Sequence, residues 1–260
     1  MPFIFKSVML ALVLLFSGTI HATTNDTIKP SHADSLKFRA DVSEGQFSVK
    51  QLVIPGVLIG YGVAGLNSKW IGDTNKSVRN DLRNNTHTSV DEFTLYAPAA
   101  SVFILNAAGV KGKHNFRQRA VIYATAALLS NGIVKTLKET TNVTRPNGLV
   151  HNSFPSGHTT AAFLGAEFLY QEYKDVSIWY GVAGYLVAAS TAVMRLTNDR
   201  HWVMDVVAGA GIGILCTKAA YWLHPYSDAL FFGKDAEKAS AMVMPFYNGQ
   251  QLGGSFVYRF

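Results

Sequence analysis

The stretch RLTNDRHWVMDVVAGAGIGILCTKAAYW, Arg195–Trp222, decides the architecture. Its first part carries Arg195, His201 and Asp205, and beyond Asp205 the single charge is Lys218. A run this long, apolar and free of proline reads as a helix that is buried or faces lipid. His201 and Asp205 are four residues apart, which on a helix puts both side chains on one face. A carboxylate on one ring nitrogen fixes the tautomer and leaves the other nitrogen free to attack. Alone, such a pair is more often a structural hydrogen bond. Here it follows Arg195 and opens an apolar helix, where ionisable groups are expensive unless they have a function. Asp199 reads as a candidate N-cap and nothing more.

Two upstream stretches extend the same chemistry. Pro155-Ser156-Gly157-His158 precedes the apolar run Thr159–Tyr170. It reads as a turn opening a helix, whose free N–H groups and positive dipole end suit an anion. Gly157 lets the backbone come close to a ligand. Ser156 is equally an N-cap or a phosphate contact. His158 stands where an imidazolium would give its proton to a leaving oxygen. Further upstream, KETTNVTRP at 138–146 supplies Lys138 and Arg145. Arginine offers a planar fork of donors and lysine a compact point charge, so Lys138, Arg145 and Arg195 are complementary. Each alone is more often a solvated surface cation. Converging, the three would hold a tetrahedral oxyanion.

Together these segments resemble the signature of the type 2 phosphatidic acid phosphatase (PAP2) family, which includes bacterial acid phosphatases and vanadium haloperoxidases. That signature reads K-x6-RP, PSGH and SR-x5-H-x3-D. Lys138, Arg145 and Pro146 fit its first part, Pro155–His158 its second, and Arg195, His201 and Asp205 its third. Met194 departs, standing where the family usually has serine. Three ordered motifs with correct spacings are specific where one alone is not. The resemblance implies an all-α helical bundle over about 51–223. It implies His201 as a nucleophile that becomes a phosphohistidine, Asp205 as its orienting carboxylate, and His158 as the acid. Lys138, Arg145, Ser156, Gly157 and Arg195 would bind the phosphate. The set requires no metal and no cofactor, and the sequence has no HExxH, HxH or cysteine cluster to suggest one.

The body reads as helical throughout, with apolar runs near 52–66, 95–110, 120–134, 157–170, 177–194 and 203–222. Several fall short of the ~20 residues a membrane span needs, and the mean hydropathy of +0.14 is low for a six-span protein. The runs 177–194 and 203–222 are long and nearly uncharged, with Tyr180, Tyr185, Trp202, Tyr221 and Trp222 as interfacial anchors. Membrane embedding is the favoured reading, and a soluble bundle is the alternative. Lys111, Lys113, Arg117 and Arg119 form a basic connector that the positive-inside rule places in the cytoplasm, with the motifs on the exported side. An exported amino terminus, with every later run crossing, would put that connector outside. The conflict disappears if 52–66, which holds Pro55 and four glycines, does not cross.

Residues 1–22 read as a secretory leader, with an uncleaved anchor as the alternative. Residues 23–50 form a polar lead segment and 224–260 a tail. Within the tail, Met242–Tyr247, Asn248-Gly249 and Gly253–Phe260 read as a β-hairpin. The lone cysteine, Cys216, excludes an internal disulfide. A net charge of +6 suits an anionic partner, and no nucleic-acid signature appears. The favoured function is a phosphatase acting on a lipid phosphomonoester or pyrophosphate at the cell envelope. Phosphatidic acid, phosphatidylglycerol phosphate, undecaprenyl pyrophosphate and lipid A phosphates are the candidate substrates. A soluble periplasmic acid phosphatase and a noncatalytic lipid-binding protein remain as alternatives.

Overall fold

The computed structural model describes residues 48–82, 88–232, 240–247 and 252–259. The expected leader, and all of the polar lead segment before residue 48, lie outside the described residues. After one 3-10 turn at Val49–Leu52, the helices are α1 (Val53–Ala64), α2 (Lys69–Leu82), α3 (Asp91–Thr94), α4 (Ala97–Ala107), α5 (Phe116–Thr141), α6 (Gly157–Tyr173), α7 (Ile178–Thr197) and α8 (Val203–Phe232). Strands β1 (Ser240–Tyr247) and β2 (Leu252–Arg259) pair antiparallel, Tyr247 opposite Leu252, as the alternating tail implied.

The four long helices run alternately up and down, and local chemistry sets their ends. Asn115 and Gln118 form a capping box that starts α5. Asn142, left-handed at φ 49°, ends it and turns the chain toward Arg145. Between those caps, 26 residues span about 39 Å. Lys138 and the basic connector therefore sit at opposite ends of α5. The return helix α6 begins at Gly157 beside the motifs and finishes at the connector, where Lys113 N–H donates to the Glu172 carbonyl at 3.0 Å. The Glu172 carboxylate there accepts from Arg119 Nε (3.0 Å) and Tyr221 Oη (2.6 Å) and pairs with His114 Nδ1 (2.7 Å). Helix α7 climbs back to Arg195, and α8 descends from the motif end. All three motifs thus meet at one end of the bundle.

Helix α6 is its axis, packed against α4, α7 and α8 and buried along most of its length. The small residues of α8 let the two backbones touch. A Cβ on Gly213 would lie 2.4 Å from the Thr160 carbonyl oxygen, and one on Gly209 2.7 Å from that of Ser156. Glu167, buried between helices, takes Lys218 and Gln171 at 2.6 Å each and Tyr185 as a third donor. That pairing offsets the cost of placing a charge there.

Among the described residues, two helices are long and apolar enough to cross a membrane, Phe116–Thr141 and Val203–Ser227. Helix α7 was expected among them and is not. It has the length, 20 residues, but its glycines, tyrosines and hydroxyl side chains dilute its hydropathy. Helix α5 takes its place because its middle, 120–134, is apolar between charged ends. The two candidates differ in setting: 72% of the apolar window of α8 is buried against 28% of that of α5. Helix α1 is only 12 residues long and meets α2 at 92°. It reaches span length only as half of a bent pair, which agrees with 52–66 not crossing on its own.

Candidate active site

The lower part of the site is the turn between α7 and α8. His201 was expected on the helix with Asp205, but α8 starts at Val203 and His201 precedes it. The pair meets all the same, because the Asp205 carboxylate folds back over the helix start, where its Oδ2 accepts the Trp202 N–H at 2.8 Å. Oδ2 also accepts the Ser153 hydroxyl. His201 Nδ1 lies 3.5 Å from both Asp205 Oδ2 and Ser153 Oγ. That is the outer limit of hydrogen bonding, a looseness common in unliganded sites. All of the polar support is on Nδ1, so Nε2 is the nitrogen left to react.

Asp199 is not the N-cap expected. It sits at φ 58° and forms a bidentate pair with Arg79 of α2, with both contacts at 2.8 Å. The Arg79 guanidinium stacks 5.8 Å from the Trp202 ring centroid, and Asn75 accepts the Met204 N–H at 3.3 Å. Helix α2 therefore braces the loop that carries His201.

The PSGH segment lies against that loop through one backbone bond, Ser156 N–H to the Asp205 carbonyl at 3.0 Å. Ser156 is fully buried, and its Oγ accepts the Thr159 N–H and hydroxyl at 3.4 and 3.0 Å. Its N-cap role is thus present. Gly157 and His158 open α6, where first-turn N–H groups lack an intrahelical acceptor.

The cations come together from three segments. Lys138 Nζ donates to the Asn152 carbonyl at 2.5 Å. Arg145 sits in a tight turn closed by its own N–H to the Val150 carbonyl at 2.9 Å. Burial, then the nearby charges of Arg195 and Arg200, push Arg145 below its ordinary value. Arg195 is 5% exposed and is held by the buried Asp91. The Nε atoms of Arg145 and Arg195 are buried without a hydrogen-bond partner, as is Asp205 Oδ1. Two unspent guanidinium donors beside an imidazole suit an oxyanion, since a buried donor left unpaired is costly.

Four contributors escaped the sequence reading. Asp91 anchors Arg195, and Asn198 ties Asp91 to Thr88 through contacts of 3.3, 2.9 and 3.1 Å. Glu92 lies 2.9 Å from His158 Nε2, and Ser153 supports Asp205. The Asp91-Glu92 pair before an apolar run was a readable signal of a helix start. Ser153 gave none. Asp91, Glu92 and His158 bring one ligand atom each within 4.8 Å of one another, the spacing of a metal site. Each carboxylate already has a partner here, Asp91 the Arg195 guanidinium and Glu92 the His158 ring.

Residues 119–229 match the family model of the PAP2 superfamily. Over that stretch the chain is similar to the superfamily. Over 146 residues it is 38% identical to a lipid A 1-phosphatase from Porphyromonas gingivalis. The match covers 56% of this chain and 32% of the relative, so the chain spans about a third of that protein's length. Among solved structures, the crystal structure of Aquifex aeolicus LpxE aligns with a TM-score of 0.44 at 24% identity, over 56% of this chain and 94% of that one. A transmembrane PAP2 type phosphatidylglycerolphosphate phosphatase from Bacillus subtilis aligns at 0.46 and 19%, over 66% and 96%. Met194 is half-buried on α7, and its carbonyl accepts the Asn198 N–H at 2.9 Å.

Electrostatics suit a nucleophile. Burial pushes the His201 ring down to about 4; Asp205 pulls the other way, while Lys138 and Arg195 add to the depression. At neutral pH the ring is therefore uncharged, with a lone pair on Nε2. Between about pH 4 and the ordinary value of 6.5 the unfolded chain binds the extra proton. The contribution of His201 to folding stability accordingly rises with pH across that window and is flat above it. His201→Asn is expected to make the rise of the thermal midpoint with pH shallower there than in wild type. An equal slope would mean that the folded ring is already charged.

Proposed function

We propose that this protein is a phosphatase of membrane lipid phosphates, working through a phosphohistidine on His201. The observation that carries this reading is the meeting of Lys138, Arg145 and Arg195 around a buried, Asp205-backed imidazole. His201 Nε2 attacks phosphorus in line, and the cations take up charge on the equatorial oxygens. His158 protonates the departing oxygen. Water then attacks the phosphohistidine, releasing inorganic phosphate and restoring the ring. The first-turn N–H groups of Gly157 and His158 add to the oxyanion's cradle, and Ser156 shapes that turn.

A lipid substrate is supported by the body that carries the site. Only 28% of the apolar window of α5 is buried, with Leu128 67% accessible; Phe116 at the start of that helix, Ile104 on α4 and Leu186 on α7 are similarly open. Apolar area on this scale calls for lipid or a partner. The basic connector and the motifs stand a span-length helix apart, which with the positive-inside rule supports a site facing the exported side of the inner membrane. Among lipid phosphates, the 38% identity to a lipid A 1-phosphatase favours a glycolipid 1-phosphate.

The test is phosphate release by the detergent-solubilised protein from lipid A, phosphatidic acid, phosphatidylglycerol phosphate, undecaprenyl pyrophosphate and a soluble aryl phosphate. Release from at least one lipid, with lipid A preferred, is the expected result. An inert wild-type protein across the panel would revive the noncatalytic reading, and a preference for the soluble ester would revive the acid phosphatase.

A further inference from the structure

Asp91 and Glu92 are consecutive residues of α3, yet they meet the site in different ways. Asp91 is 1% exposed and fixed by Arg195 and Asn198. The Glu92 side chain is 56% exposed, and its Oε2 lies 2.9 Å from His158 Nε2. Its other oxygen, Oε1, stands 3.6 Å from Arg195 Nη1. One carboxylate thus bridges the assigned acid and an assigned phosphate ligand. The His158 hydrogen bond holds the Glu92 carboxyl below its ordinary value, so the group is an anion at neutral pH.

We propose that Glu92 is a built-in anionic competitor, whose carboxylate takes the place of a phosphate oxygen between His158 and Arg195 until a phosphate group displaces it. The proposal rests on the phosphatase reading and gives that site a means of releasing product. A pocket of three cations binds inorganic phosphate as well as it binds the substrate's phosphate. A tethered carboxylate that returns to the same two partners opposes the product without opposing the lipid tail contacts that draw substrate in. While it is bound it also occupies the His158 Nε2 position. The proton needed by the leaving oxygen is therefore free for transfer only after the phosphate has replaced the carboxylate. Exposure lets Glu92 swing away at low cost, whereas Asp91 beneath it keeps Arg195 in place.

The test compares wild type, Glu92→Gln and Glu92→Ala for inhibition by inorganic phosphate and orthovanadate, alongside kcat and KM. Removing a like charge at this range is expected to tighten both inhibitors about three- to tenfold in both variants, allowing for solvent screening. KM should fall with them, and kcat should not rise, because product leaves more slowly. A side chain with only a structural role would not tighten an anion when removed. Unchanged or weaker inhibition in both variants, with hydrolysis intact in wild type, overturns the proposal and makes Glu92 a simple support for His158. A wild-type protein that neither hydrolyses the panel nor binds orthovanadate overturns the phosphatase reading instead.

Discussion

His201→Ala is expected to lower phosphate release by about a thousandfold or more, the scale on which loss of a covalent nucleophile is felt. It should also leave no acid-labile phosphoprotein in a rapid-quench experiment with labelled substrate. The size follows from the geometry. Asp205 and Ser153 face Nδ1, which leaves Nε2 as the nitrogen for the proposed attack. His158→Ala should be milder and graded, worst for substrates with poor leaving groups, because its proposed role is to protonate the departing oxygen. A His201→Ala enzyme hydrolysing at the wild-type rate would remove the nucleophile assignment.

Arg195→Ala should have the second largest effect, and it should act on stability and binding together. Arg195 and Asp91 are both nearly inaccessible, and removing one partner of such a pair costs about 3–5 kcal/mol because the other is left charged and buried. The thermal midpoint should therefore fall sharply, and orthovanadate inhibition should weaken. Arg195→Lys keeps the charge but loses the fork, so it should recover little of either. Combining Arg195→Ala with Asp91→Asn separates the two roles. The double variant should regain much of the stability and none of the vanadate affinity. If stability and vanadate inhibition are both unchanged in Arg195→Ala, the residue is neither an anchor nor a ligand.

Much of this site was legible because the chemistry sits in short spans of fixed spacing. Arg195, His201 and Asp205 carry their arrangement in their numbering, and PSGH announces a helix start. The helices were legible where apolar residues run together, as in 157–170. Helix α2 was missed because Lys69–Leu82 is mostly polar, with a buried side made of Ile71 and Asn75, a period without a run. Its loss hid the brace from Arg79 to Asp199, and with it the reason Asp199 is not a cap. Asp91, Glu92 and Ser153 were hidden for a different reason. Their partners lie 104, 66 and 52 residues away, and nothing local signals a contact at that separation. The length of α5 was underestimated because its polar last turns, which place Lys138, are held by packing and an Asn142 cap rather than by apolar pattern.

The most direct test of convergence is an experimental structure of the protein with orthovanadate bound. The account predicts vanadium within bonding distance of His201 Nε2, its equatorial oxygens met by Lys138, Arg145 and Arg195, and Glu92 turned away from His158. Vanadate bound elsewhere, or bound at this end of the bundle with His201 remote from the metal, would contradict it.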